Sequence, residues 1–355
     1  MGKYRSFKAY ARAIFKASLI TSFPEIASTK SPIKMIVKIV VFIICTIGFS
    51  YQTLSFVGMY LAYPTVVNVK ISYPFIVEQP GITICNSNRI RRKYFCANQE
   101  SACAELLPPT FCDLFPKYCP EGDASIADPV VPYFFAVTTP IYVWEETKLS
   151  SHNTTMFVKC TKSFGNDESY CKLPYQSVPS VTLDGYQNYC FTVESQWGNK
   201  SAQPDKFINY FNLQLQMDTQ LDDYMMYKNP VRIHVVLHDR KERVNTYVSG
   251  FTLEGGVRYV AHVSMVSTQR LPYPYDTNCT HYIDLWRKNN GTGPLSKIMC
   301  VEQCKMNKLV NMNSCVDKTV TYPHEEKLCE KEEIKVTEEM LESCYKECGS
   351  ACKYE

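Results

Sequence analysis

From Ile39 to Leu61 the chain reads IVVFIICTIGFSYQTLSFVGMYL, 23 residues with no Asp, Glu, Lys, Arg or His. A helix rises about 1.5 Å per residue and a bilayer core is about 30 Å thick, so about 20 such residues cross it. The run is therefore read as a membrane-spanning helix, with the core helix of a soluble protein as the alternative. A cleaved signal peptide does not fit, because the charged stretch before it is too long and no small-residue cleavage site follows Leu61.

Charge gives the orientation, since short Lys/Arg-rich segments stay in the cytosol. Residues 1–38 carry Lys3, Arg5, Lys8, Arg12, Lys16, Lys30, Lys34 and Lys38 against the single acid Glu25, a net +7, and the rest of the chain sums to −4. The overall +3 thus describes an inside-facing collar that can touch anionic lipid, not a surface for nucleic acid. The expected order is a cytosolic segment 1–38, a transmembrane helix 39–61 and an extracellular domain 62–355.

Cys45 lies in the span and the other sixteen cysteines all follow it: Cys85, Cys96, Cys103, Cys112, Cys119, Cys160, Cys171, Cys190, Cys279, Cys300, Cys304, Cys315, Cys329, Cys344, Cys348 and Cys352. An even number beyond a span reads as a disulfide framework in an oxidising compartment. Four N-x-S/T sequons, at Asn153, Asn199, Asn278 and Asn290, fall in the same region and agree with export. Cys279 sits inside the Asn278 sequon, where an early disulfide would hinder glycan addition.

The 294 residues after the span are ample for a packed core. Val231, Ile233, Val235 and Leu237 alternate with Arg232, His234 and His238, which predicts a strand, and a second β-rich stretch runs from Val257 to Val266. Gly255-Gly256 mark a turn or bulge between them. Cys96 to Cys119 reads as a stapled, loop-rich lobe. Ile334, Val336, Met340, Leu341, Cys344, Tyr345 and Cys348 recur at helical spacing, which predicts a helix with inward cysteines.

Cys300/Cys304 and Cys344/Cys348/Cys352 each share one helix face at a spacing of four. Thiolate zinc sites usually use tighter pairs, so rungs bridging to a second helix are expected, with the connectivity left open. His234 and His238 form H-x-x-x-H, but without the Glu of a zinc hydrolase, and on a strand they stand about 13 Å apart, too far to share an ion. No nucleophile elbow, phosphate loop or dinucleotide fingerprint is present, so neither an enzyme nor a cofactor is expected.

Tyr63-Pro64-Thr65-Val66-Val67 follows the span, then Gln79-Pro80-Gly81-Ile82-Thr83-Ile84-Cys85-Asn86. This resembles the degenerin/epithelial sodium channel family, which includes the amiloride-sensitive and acid-sensing channels. Its motif there is Phe-Pro-Ala-Val-Thr-Ile-Cys-Asn, from which Gln79 and Gly81 depart, beside the conservative exchange of valine for Ile82. Arg270-Leu271-Pro272-Tyr273-Pro274-Tyr275, then Cys279 and the cysteine series to Cys352, is similar to that family's Leu-Pro-x-Pro-aromatic segment and thumb. The likeness runs from about Thr21 to the last residue.

The resemblance implies a membrane α+β fold: one N-terminal transmembrane helix and a large disulfide-rich extracellular domain, with a β-sheet palm and finger over about 62–275 and a helical thumb over about 276–355. It implies a subunit of a homo- or heterotrimeric plasma-membrane channel that conducts sodium, partnered by other subunits of the family and by the bilayer. Gating would pass through an aromatic wrist contact, here Tyr63 with Tyr275; Tyr63 also suits a plain interfacial anchor. Pro24-Glu25 stands where the family has a gating His-Gly pair, and proline fixes φ while glutamate lacks glycine's freedom. The family continues through a last palm strand into a pore-lining second helix with a Gly-x-Ser filter, and residues up to Lys353-Tyr354-Glu355 contain no second spanning segment. By itself the chain is therefore expected not to conduct. Two alternatives stand beside a channel subunit represented by an incomplete or truncated product: a non-conducting single-pass regulatory partner, and a type II receptor or adhesion glycoprotein.

Overall fold

The computed structural model describes residues 10–354 except 11–12, 15, 17–21, 106–107, 117–118, 120–129, 134–143, 172–174, 209–210, 226, 228–229, 272–273, 276 and 331–332. Lys3, Arg5, Lys8, Arg12, Thr21, Pro272, Tyr273 and Glu355 of the sequence reading lie outside the described residues. The chain divides into two units, residues 1–69 with 272–276, and residues 70–271 with 277–355.

The first unit holds helix α1 (Ser22–Ser28) and helix α2 (Pro32–Leu61). Helix α2 starts seven residues before the apolar run, because Pro32 at its first turn suits the helical φ and needs no hydrogen-bond partner for a missing N–H. Lys34 and Lys38 thus ride on its first two turns. Among the described residues it is the one helix long and apolar enough to cross a membrane.

In the second unit the strands are β1 (Ile76–Glu78), β2 (Gly81–Asn86), β3 (Cys103–Glu105), β4 (Val130–Pro132), β5 (Phe157–Phe164), β6 (Asp167–Tyr170), β7 (Tyr175–Val181), β8 (Gln187–Val193), β9 (Lys206–Ile208), β10 (Asn212–Met217), β11 (Arg232–His238), β12 (Phe251–Glu254), β13 (Thr268–Gln269) and β14 (Lys353–Tyr354). The helices are α3 (Arg92–Asn98), α4 (Pro108–Leu114), α5 (Trp144–Ser150), α6 (Thr246–Ser249), α7 (Tyr282–Lys288), α8 (Lys297–Asn313) and α9 (Glu338–Glu347). An antiparallel sheet in the order β12-β11-β2-β8-β7 lies across a smaller sheet, β10-β5-β6.

Period-two alternation places the core between these sheets. Ile82 and Ile84 of β2, Phe191 and Val193 of β8, and Ile233 and Val235 of β11 meet Phe157 of β5 and Leu213, Leu215 and Met217 of β10. Residues between them in sequence face the other way, where Thr83, Thr192 and His238 form a buried polar chain. The predicted strand around His234 and His238 is therefore present, one register beside the central strand β2.

Two sequence expectations are corrected. Val257–Val266 forms no strand: the turn at Gly255-Gly256, with Gly256 at φ +75°, ends the pairing of β12 with β11. Among the described residues no other strand lies beside the stretch, and its side chains are exposed. β-branched composition reports fitness for a sheet, not the presence of a neighbour. The C-terminal helix begins at Glu338, not near Ile334, because the Thr337 hydroxyl caps it by accepting from the Met340 N–H at 3.2 Å. Ile334 and Val336 still pack against the Met299, Leu309, Val316 and Val320 cluster, from an extended lead-in. The lobe from Cys96 to Cys119 is stapled as expected but contains α3 and α4 as well as loops.

The two motif departures have structural counterparts. A methyl group on Gly81 would stand 2.7 Å from the His238 ring, so the imidazole occupies the space an alanine would need. Gln79 is fully buried, and neither its amide oxygen nor its nitrogen has a partner among the described residues. Each such group costs about 1–3 kcal/mol. Gln79→Met, similar in shape and without the amide, is expected to raise stability by about 1–3 kcal/mol in reversible denaturation of the oxidised domain; a loss of stability contradicts this account of the site.

Glu242, on the turn after β11, is buried with its Oε1 unpartnered, beside the Ser296 hydroxyl that caps α8. Burial, then the nearby Asp239, pushes its carboxyl up to about 7. Raised above the usual 4.5, this group binds a proton in the fold that the unfolded chain releases, so its share of stability is lost as pH rises from about 4.5 through 7. His152, His238 and His324 act oppositely, held below their ordinary value by burial, and cost stability as pH falls below 6.5. Glu242→Gln is expected to melt at higher temperature than the parent at pH 8, with the gap narrowing toward pH 4.5; a parent that is the more stable at pH 8 refutes the assignment.

Candidate functional site

The apolar helix α2 ends where its backbone turns left-handed. Ala62 donates its N–H back to Gly58 O at 3.0 Å, and Tyr63, at φ +46°, donates its own to Tyr60 O at 3.2 Å. Glycine and asparagine normally take that conformation, and a bulky side chain there costs on the order of 1–2 kcal/mol. Tyr63 holds it while its ring meets Tyr275 edge-on, with centroids 5.5 Å apart and planes at 71°. Tyr60, one turn back, lies 6.3 Å from the Tyr63 ring. Edge-to-face pairs of this kind contribute about 0.5–1.5 kcal/mol beyond burial, comparable to the backbone strain they accompany.

The segment carrying Tyr275 is held at both ends. Before it, β13 pairs with β14, the Arg270 N–H donates to Cys352 O at 2.8 Å, and the Arg270 guanidinium donates to Ala351 O. After it, the Thr277 hydroxyl closes back on Leu271 O at 2.8 Å, and Cys279 is bonded to Cys352. The flanks of residues 272–276 are thus held by three hydrogen bonds, one two-residue ladder and one disulfide.

The remaining cysteines pair as Cys85–Cys190, Cys96–Cys103, Cys112–Cys119, Cys160–Cys171, Cys300–Cys348, Cys304–Cys344 and Cys315–Cys329. All sixteen beyond the span are used, and Cys45 is free. The rungs between α8 and α9 run antiparallel, and spacing alone left that order open. Lys308 Nζ adds an ion pair to Glu347 at 2.6 Å along the same seam.

In the segment before the span, Pro24 and Glu25 lie in the first turn of α1, where proline is tolerated. Glu25 O accepts from the Ser28 and Thr29 hydroxyls, and its carboxylate stands 3.7 Å from Lys38 Nζ, an exposed pair that adds little. Phe23 packs on Phe42 of α2 with centroids 5.0 Å apart.

His234 and His238 occupy β11 as a polar sheet face. His238 Nδ1 donates to Asp239 O at 2.7 Å, so Nε2 accepts from the Thr83 hydroxyl at 2.8 Å, and Thr83 accepts from Thr192 at 2.7 Å. Burial holds both imidazoles below their ordinary pKa. Among the described residues no three His, Cys, Asp or Glu side chains gather as a metal site.

Asn153, Asn199, Asn278 and Asn290 are all exposed. Asn278 sits at φ +37° directly before the Cys279–Cys352 bond. The sequence did not single out Glu242, and marked Gln79 only as a departure from a motif: the burial of a carboxyl and of an amide has no sequence signature, and only the packing around them shows it.

A family model described as amiloride-sensitive sodium channel matches residues 15–355. No curated protein matches the chain. The match covers α2, the disulfide-bonded unit and both tyrosines of the edge-on pair, and the chain therefore belongs to the amiloride-sensitive sodium channel family, plasma-membrane ion channels that assemble from family subunits and conduct sodium.

Proposed function

We propose that the chain is a subunit of a trimeric, sodium-selective channel whose gate is driven from its extracellular domain through Tyr63 and Tyr275. Residues 1–38 face the cytosol, as the +7 charge before the span favours. The sheet of β2, β7, β8, β11 and β12 corresponds to the palm of this reading, and α7, α8 and α9 to its thumb. α2 is the outer, lipid-facing helix, and the conducting path is lined by another helix of the assembly.

The edge-on contact of Tyr63 and Tyr275 is the observation that carries the reading. A strained residue at the end of a spanning helix, held by a ring on a segment rooted in disulfides, is a small two-sided device. Its interaction energy is large enough to bias an open–closed equilibrium and small enough to break. As an interfacial anchor alone, Tyr63 would need neither the partner ring nor the left-handed backbone.

Co-expression with a conducting subunit of the family tests this in whole-cell sodium currents. Tyr63→Ala and Tyr275→Ala are each expected to shift the open probability by roughly two- to tenfold, and the double variant no further than either single one. Tyr63→Phe, which keeps the ring, should behave as the parent. Additive effects, or no change of current with no co-purification, overturn the proposal.

A further inference from the structure

Two sequons far apart in sequence meet in space. Asn199-Lys200-Ser201 lies on the loop after β8, and Asn290-Gly291-Thr292 on the turn between α7 and α8. The Gly198 N–H donates to Gly291 O at 2.8 Å, and Lys200 Nζ reaches Asn290 Oδ1 at 3.3 Å. Gly291, at φ +86°, permits the approach: a side chain there would begin 2.8 Å from the Lys200 nitrogen. The two loops are therefore seated backbone to backbone.

Both asparagines and both hydroxyl residues, Ser201 and Thr292, are exposed. Asn199 Oδ1 accepts from the Ser201 N–H at 3.1 Å and Asn290 Oδ1 from Lys200, and neither side-chain nitrogen has a protein partner among the described residues. Asn278 lacks this arrangement, since its sequon is tied into a disulfide.

We propose that Asn199 and Asn290 carry a side-by-side pair of N-glycans, and that the face they root on is turned to solvent, not to a neighbouring subunit, in the assembled channel. In each transfer the asparagine side-chain nitrogen bonds to the anomeric carbon of a lipid-diphosphate-linked oligosaccharide. The sugar–phosphate bond breaks, the lipid diphosphate leaves with the electron pair, and the amide releases a proton. Two branched, hydrated polymers anchored within one loop contact sweep the ends of α7 and the adjoining cleft lined by Gln196, Lys241 and Arg287. A subunit interface there would have to desolvate both. The second clause rests on the trimeric reading above, while the glycan pair does not.

Glycopeptide mass spectrometry of the full chain decides both. Cell-surface protein, and protein co-purified through a tagged family subunit, are expected to be occupied at Asn199 and Asn290 on the same molecules. Asn199→Gln and Asn290→Gln should each lose one glycosidase-sensitive mass increment and the double variant two, with co-purification unchanged. An empty Asn199 or Asn290 in surface protein overturns the pair. A co-purified fraction depleted of either glycan, or a double variant that assembles better than the parent, overturns the solvent-facing assignment. Where the chain joins no family subunit, the trimeric reading fails and the solvent-facing clause with it, and surface occupancy still decides the pair.

Discussion

Disulfide bonding between α8 and α9, continued by Cys279–Cys352, is the constraint on which the second unit depends. The apolar side chains of this unit are divided among several small clusters, one between the sheets and others under the helices, and none is large for a unit of nearly 300 residues. Bonds that close 40, 48 and 73 residues of sequence reduce the freedom of the unfolded chain by about 3–5 kcal/mol each in the loop-entropy description. The same bonds place β14 against β13 and so fix the root of the segment that carries Tyr275. Mechanical continuity in this chain is covalent before it is hydrophobic.

Much of this was legible in the sequence, and the reasons differ by element. A long apolar helix was legible in 23 uncharged residues, although its first two turns were hidden by Pro32 and by the charges of Lys34 and Lys38. The strand through His234 was visible in its alternation, and the disulfide framework in the even count beyond the span. Connectivity was not legible: rungs 300–348 and 304–344 fit the spacing no better than 300–344 and 304–348 would, and only the antiparallel course of the two helices separates them. Val257–Val266 was misread because composition cannot name a partner strand.

The residues that depart from the family pattern mark where local cost is carried. Gly81 gives its space to the His238 ring, which in turn ends a polar chain through Thr83 and Thr192 across three strands. Gln79 puts an unpartnered amide where the family has an aromatic ring. Tyr63 holds a left-handed backbone conformation at the end of the spanning helix. The packing gives a reason for the departure at Gly81, where the His238 ring fills the space of a methyl group; Gln79 is a cost without a visible partner, and Tyr63 keeps the residue the resemblance implies.

The covalent framework underlies both the fold of the second unit and the root of the Tyr275 segment, and a peptide map of the non-reduced protein from the cell surface measures it. The account predicts eight disulfide-linked peptide pairs with Cys45 as the sole free thiol, and in particular Cys279–Cys352, Cys300–Cys348 and Cys304–Cys344. Free thiols among the sixteen cysteines beyond the span, or Cys300 joined to Cys344, would contradict it.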